Sequence, residues 1–242
     1  MKVERLIVGW FTAPAGLFRA GEEMERTVRY PIPAYLVETA EERILIDTGP
    51  NPAAIADPAA YYERPDIFSV TALEQERSIA EQVDVGELTK LVLTHLHWDH
   101  VGGLGQIPAS VPVVIQRREW QAGHDENAVG RNFFLPRDYA GSERELILVD
   151  GDTDLLGDGS IELLLTPGHT PGHQSVRIGD LVLGIDVAHF ASGFDDHRFP
   201  VFADDHEEQK RSAERLRALR DAGGTVVPGH DPELLRPGPV SA

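Results

Sequence analysis

The segment THLHWDHVGG, Thr94 to Gly103, sets four side chains that carry lone pairs, His95, His97, Asp99 and His100, within six residues. It continues the apolar run Leu91 to Thr94, which reads as a buried strand, and it closes on Gly102 and Gly103, where the chain can turn tightly. A strand end followed by a turn aims its side chains at one place. Neutral imidazole and carboxylate are the donors that zinc, iron, cobalt and manganese accept, so the segment reads as the core of a metal site. His95 and His97 alternate and can share one ion, which leaves Asp99 and His100 for another. Three of the chain's ten histidines fall here, more than a solvated loop calls for.

Outward from this core, three further candidates each follow an apolar run: His169 after Ile161 to Thr166, Asp186 after Leu181 to Ile185, and His230 after Thr225 to Val227. Strand ends that project polar side chains into one crevice are a common way for α/β folds to build sites. Similar short runs, Leu6 to Phe11, Ala34 to Val37, Arg43 to Asp47, Val111 to Gln116 and Leu146 to Val149, predict further strands. Helices are expected over Thr71 to Val83, with Thr71 and Glu74 as a capping box, and over His206 to Ala222, with Glu207 pairing to Arg211. The proline-rich stretch from Gly49 to Ser69 reads as a long functional loop. No linker or repeat divides the chain, so residues 1–242 are expected to form one domain of strands and helices.

Composition narrows the chemistry. Lys and Arg number 22 against 40 Asp and Glu, a formal charge of -18 that repels nucleic-acid phosphates and anionic membranes. No nucleic-acid or membrane partner is expected. The chain has no cysteine, so disulfides, thiolate metal sites and cysteine nucleophiles are excluded, and any transition metal must sit on His and carboxylates. The run Leu6 to Phe11 is too short for a signal peptide and carries Glu4 before it, so the cytoplasm is the expected compartment.

The order HxHxDH, GHTPGH, a strand-ending Asp and PGHD resembles the metallo-β-lactamase superfamily over most of the chain. Ala34 to Gly49 (AYLVETAEERILIDTG), Val113 to Trp120 (VVIQRREW), Thr166 to Ser175 (TPGHTPGHQS) and Pro228 to Asp231 are most similar to the N-acyl homoserine lactonases, which open quorum-sensing lactone rings. The resemblance implies an α/β fold, a four-layer αββα sandwich, holding two divalent metal ions, zinc first, with cobalt, iron and manganese as alternatives. It implies that His95, His97 and His169 bind one ion, that Asp99, His100 and His230 bind the other, and that Asp186 bridges them. Asp47 would orient a ligand histidine. Where those lactonases carry a tyrosine three residues after the bridging Asp, this chain has His189, whose N–H can still donate.

A water held by two cations is acidified from a pKa of about 15.7 toward about 7, so the resemblance implies attack of a bridging hydroxide on a lactone carbonyl. Asp99 would move the proton and His189 would steady the carbonyl oxygen. The expected substrate is a small lactone or ester. Alternatives on the same site are another lactonase, a carboxylesterase or a glyoxalase-type thioesterase, and, further off, a di-iron redox protein or a metal-stabilised binding module. A homodimer stays open as the assembly. His173 reads as structural, His124, His197 and His206 as solvated, and Arg19, Arg26 and Arg29 as surface residues, while Phe11, Leu17 and Phe18 are not assigned between core and pocket.

Overall fold

The computed structural model describes residues 1–141 and 143–240. The first sheet takes β1 (Lys2–Pro14), β2 (Thr27–Glu38), β3 (Arg43–Ile46), β4 (Ala72–Glu74), β5 (Lys90–Val92), β6 (Val113–Gln116) and β7 (Leu146–Val149). The second takes β8 (Thr153–Asp154), β9 (Ile161–Leu165), β10 (Gln174–Ile178), β11 (Leu181–Ile185) and β12 (Thr225–Pro228). A last short strand, β13 (Gly238–Pro239), returns to the first sheet, whose order is β13-β1-β2-β3-β5-β6-β7 with β4 on β1. The second runs β12-β11-β10-β9-β8.

Alternation of side chains along the strands produces the layering. Ile44, Ile46, Val92 and Val114 face Leu163, Val176, Leu183 and Ile185 in a core between the two sheets. Their neighbours Leu45, Leu91 and Leu93 turn to the opposite face and pack with Val101, Leu104 and Phe68. On the outside of the second sheet, Leu164 and Val182 meet Ala213 and Leu216 of the long helix His206–Asp221. Helix, sheet, sheet and helix are the four layers expected.

Strand direction then fixes where the site lies. β3, β5, β6 and β7 are mutually parallel, and β9, β11 and β12 share one direction because each antiparallel step through β10 reverses it twice. The two sheets touch at these carboxyl ends, where the Gln174 N–H donates to the Thr94 carbonyl at 3.0 Å.

Two local expectations need correction. Thr71 to Val83 is not one helix: Ala72–Glu74 is β4, paired with Trp10 to Thr12, and a single turn of helix covers Ile79–Gln82 with its capping box on Ser78 and Glu81. On the long helix, Arg211 approaches Glu208, at 4.0 Å, rather than Glu207. The stretch Gly49 to Ser69 is a loop broken by short helical turns at Pro52–Ala54, Pro58–Tyr62 and Pro65–Phe68, each opened by a proline at its first position, where its missing N–H costs nothing.

Candidate metal centre

β5 delivers Thr94 and His95, and the turn of helix Trp98–Val101 (α1) carries Asp99 and His100. This segment nests on the turn after β3 because Gly102 and Gly103 have no side chains. A Cβ at Gly103 would lie 2.5 Å from the Thr48 carbonyl oxygen, and one at Gly102 the same distance from the Asn51 nitrogen. The close approach lets Asp47 reach across. Its carboxylate accepts from the Thr94 N–H at 2.8 Å, the Thr94 hydroxyl at 2.7 Å and His100 Nδ1 at 2.8 Å. Asp47 holds a φ of 60°, Ile185, just before Asp186, a φ of 48°, and Phe133, just after Asn132, a φ of 57°. Left-handed backbone is costly for such residues, and here it sits at the three turns that aim the site.

Donor atoms converge in two groups, His95, His97, His169 and Asp186 in one and Asp99, His100 and His230 in the other, with a third, Asp186, His189 and His230, overlapping both; all are buried and each lies within 4.8 Å of its fellows. The Asp186 carboxylate lies between them, its Oδ2 3.4 Å from His169 Nε2 and 3.5 Å from His100 Nε2. Every residue assigned as a ligand from sequence is therefore brought together.

The outer ring nitrogens decide what the inner ones can do. His97 Nε2–H donates to the Asn132 carbonyl at 2.8 Å, and His230 Nδ1–H to the Pro31 carbonyl at 2.8 Å. With its own proton spent on Asp47, the Thr94 oxygen accepts from His95 Nδ1–H at 3.1 Å. His95 Nε2 and His97 Nδ1 are thus bare lone pairs, and they face each other at 3.1 Å. Two acceptors without a proton between them repel; a cation satisfies both. His100 Nε2 and Asp186 Oδ1, buried and without a hydrogen-bond partner, make the same demand in the second group. The residues present fit divalent cations.

Electrostatics divide the groups. Burial drives His95 far below the usual histidine range, His97 down to about 4 and His169 down to about 3, so these rings stay neutral. Burial also pulls on His100 and His230, but Asp99, Asp186 and Asp47 around the first and Asp186 and Asp99 around the second outweigh it and raise both. For Asp186, burial acts upward and is overcome by His230, His189 and His100, which hold it well below the carboxylate range. A pocket that raises histidines has negative potential, which attracts cations.

A cleft of about 360 Å³ opens over the centre. His97, Asp99, His169, Asp186 and His189 form its floor, and Leu17, Phe18, Met24, Val70, Phe133 and Phe202 its apolar walls. Leu17 and Phe18 thus belong to the cleft, and Phe11 to the core beneath it. His189 sets Nε2 3.0 Å from Asp186 Oδ2, while its Nδ1 is buried without a partner. His173 is structural: its Nε2 accepts the Asp186 N–H at 3.2 Å. Arg19, Arg26 and Arg29 are held by Asp196, Glu22 and Glu74. Sequence reading missed the carbonyls of Pro31 and Asn132, the Thr94 hydroxyl and the buried Glu119. No helix among the described residues is long and apolar enough to cross a membrane.

Comparison with known proteins places residues 27–230 on the family model of the metallo-beta-lactamase superfamily. The N-acyl homoserine lactonase AttM of Azorhizobium caulinodans is 30% identical over 218 residues, 84% of this chain and 82% of that protein. An N-acyl homoserine lactonase of Bacillus thuringiensis is 28% identical over 220 residues, 86% of this chain and 84% of that protein. Among solved structures, a B. thuringiensis AiiA variant with N-decanoyl-L-homoserine at its active site superposes with a TM-score of 0.83 at 25% identity, over 96% of this chain and 94% of that one.

Proposed function

The chain belongs to the metallo-β-lactamase superfamily, and from that membership we propose that it is a dinuclear-metal hydrolase that opens lactone rings, N-acyl homoserine lactones first among them. The observation that carries the reading is the pair of unprotonated imidazole nitrogens, His95 Nε2 and His97 Nδ1, 3.1 Å apart, with His97 on the floor of an apolar cleft. His95, His97 and His169 would hold one cation, Asp99, His100 and His230 the other, and Asp186 would touch both. Bound there, the cations supply an acidified water and polarise the substrate carbonyl.

The chain's own groups do the rest. Asp99 lines the cleft and takes the proton released as water attacks, then returns it to the ring oxygen that leaves. His189, with Nε2 3.0 Å from Asp186 Oδ2 and Nδ1 without a hydrogen-bond partner, would turn a ring N–H to the carbonyl oxygen where negative charge develops. Leu17, Phe18, Met24, Val70, Phe133 and Phe202 exclude water and accept an acyl chain. The names of the curated relatives support the substrate class. The reading carries zinc as the ion and the cytoplasm as the compartment; metal analysis of protein purified without added metal and cell fractionation test the two.

The decisive experiment is turnover by the purified protein on acyl homoserine lactones, thioesters and β-lactams, with metal counted and a chelator control. Chelator-sensitive ring opening with two ions per chain is the expected result. Two ions with thioester or simple ester turnover alone would move the assignment to a glyoxalase-type thioesterase or a carboxylesterase on the same site.

A further inference from the structure

Glu119 is a carboxylate with no accessible surface, on the short helix Arg117–Ala122 (α2) that follows β6. It lies outside both donor groups, yet its two oxygens reach the backbone on either side of the first. Oε1 accepts the Leu96 N–H at 3.0 Å, and Leu96 stands between His95 and His97. Oε2 accepts the Thr170 hydroxyl at 2.9 Å and the Gly172 N–H at 2.7 Å, just after His169. One side chain thus ties together the two loops that supply the three imidazoles. The approach is built in: a Cβ at Gly172 would lie 2.3 Å from the Glu119 nitrogen.

Such a tie has a purpose in this place. Before a cation arrives, the bare nitrogens of His95 and His97 repel one another, and the His169 ring meets the other two only through its Nε2, 3.0 Å from His97 Nδ1. Three charge-assisted hydrogen bonds to one buried carboxylate oppose a spreading of the two loops. Burying that carboxylate is itself unfavourable, as its rise to about 7 under desolvation records, and the donors from Leu96, Thr170 and Gly172 offset that cost.

On the reading that His95, His97 and His169 hold a cation, we propose that Glu119 is a positioning residue: it sets the separation of the two ligand loops and thereby the affinity of the first ion, not the second. The second group has independent anchors, Asp47 on His100 and the Pro31 carbonyl on His230.

The test is titration of metal-stripped protein with Zn2+ against a chromophoric chelator, and with Co2+ followed by its visible absorption, in wild type, Glu119→Gln and Thr170→Ala. Glu119→Gln keeps size and burial but turns an NH2 toward donors that need an acceptor. The expected result is a loss of ~10–100-fold in the first site's affinity with an altered Co2+ spectrum, the second site unchanged. Thr170→Ala, which removes one bond of three and keeps the chain folded if Glu119→Gln does not, shifts the same site by less. Unchanged affinities and spectra with only a lower melting temperature would make Glu119 a structural residue and overturn the proposal, as would an equal loss at both sites. Wild type that binds no ion would instead overturn the reading on which it rests.

Discussion

Asp99 carries two demands, since it lies among the donors of the second group and also lines the cleft. Asp99→Asn keeps the shape and one oxygen donor but cannot take a proton. Turnover of an acyl homoserine lactone is expected to fall by ~10²–10⁴-fold while melting temperature stays near wild type; metal counted in the same sample checks that the loss is in proton transfer. At His189, replacement by Tyr restores a donor of the kind the resembling lactonases carry, whereas Phe removes it. His189→Tyr is expected to keep most activity and His189→Phe to lose ~10–100-fold in kcat with a smaller change in KM, measured side by side. At this scale the donors were legible in sequence because His and Asp after a strand announce themselves. Their supports were not: Pro31 and Asn132 act through backbone carbonyls, which every residue type possesses, and Glu119 differs from a surface glutamate only by its burial.

Among the elements, the strands were legible because burial on both faces leaves unbroken runs of Val, Ile and Leu. The helix expected over Thr71 to Val83 failed for a physical reason. Leu73 gains more by joining the sheet beside Phe11 than by one more turn of an isolated helix, and the same S/T-x-x-E chemistry is used seven residues later, at Ser78 and Glu81. The long helix His206–Asp221 was legible because its apolar Ala213, Leu216 and Leu219 recur on one side. Its start is fixed by Asp205, whose carboxylate accepts from the N–H groups of Glu207 and Glu208 at 2.8 and 2.9 Å. Asp205→Ala is expected to shift urea denaturation to lower concentration and to lower the melting temperature, with the fold unchanged by circular dichroism.

For the molecule as a whole, the wall of the cleft is tied to the body through Asp138, which accepts from Asn51 Nδ2 at 2.9 Å and the Tyr62 hydroxyl at 2.7 Å. Burial raises Asp138 to about 6 from an ordinary 3.8. Because the folded value lies above the unfolded one, the neutral acid favours the fold: its contribution is complete below about pH 4 and is lost as pH rises through about 6. Asp138→Asn cannot ionise, so between pH 4 and 7 the metal-stripped wild type should lose stability relative to it, by at most about 3 kcal/mol. Parallel denaturation curves of the two proteins across that range would show the carboxyl to be unperturbed.

The hydrogen bond from His230 to the Pro31 carbonyl joins positions 199 residues apart, and that span has a consequence for biosynthesis. A ribosome releases Thr94 to Gly103 long before Pro228 to Asp231, a delay on the order of ten seconds at ~5–20 residues per second. Through that interval the second donor group has no His230. The second donor group is therefore completed only after the chain has been made as far as His230 and has folded back onto Pro31.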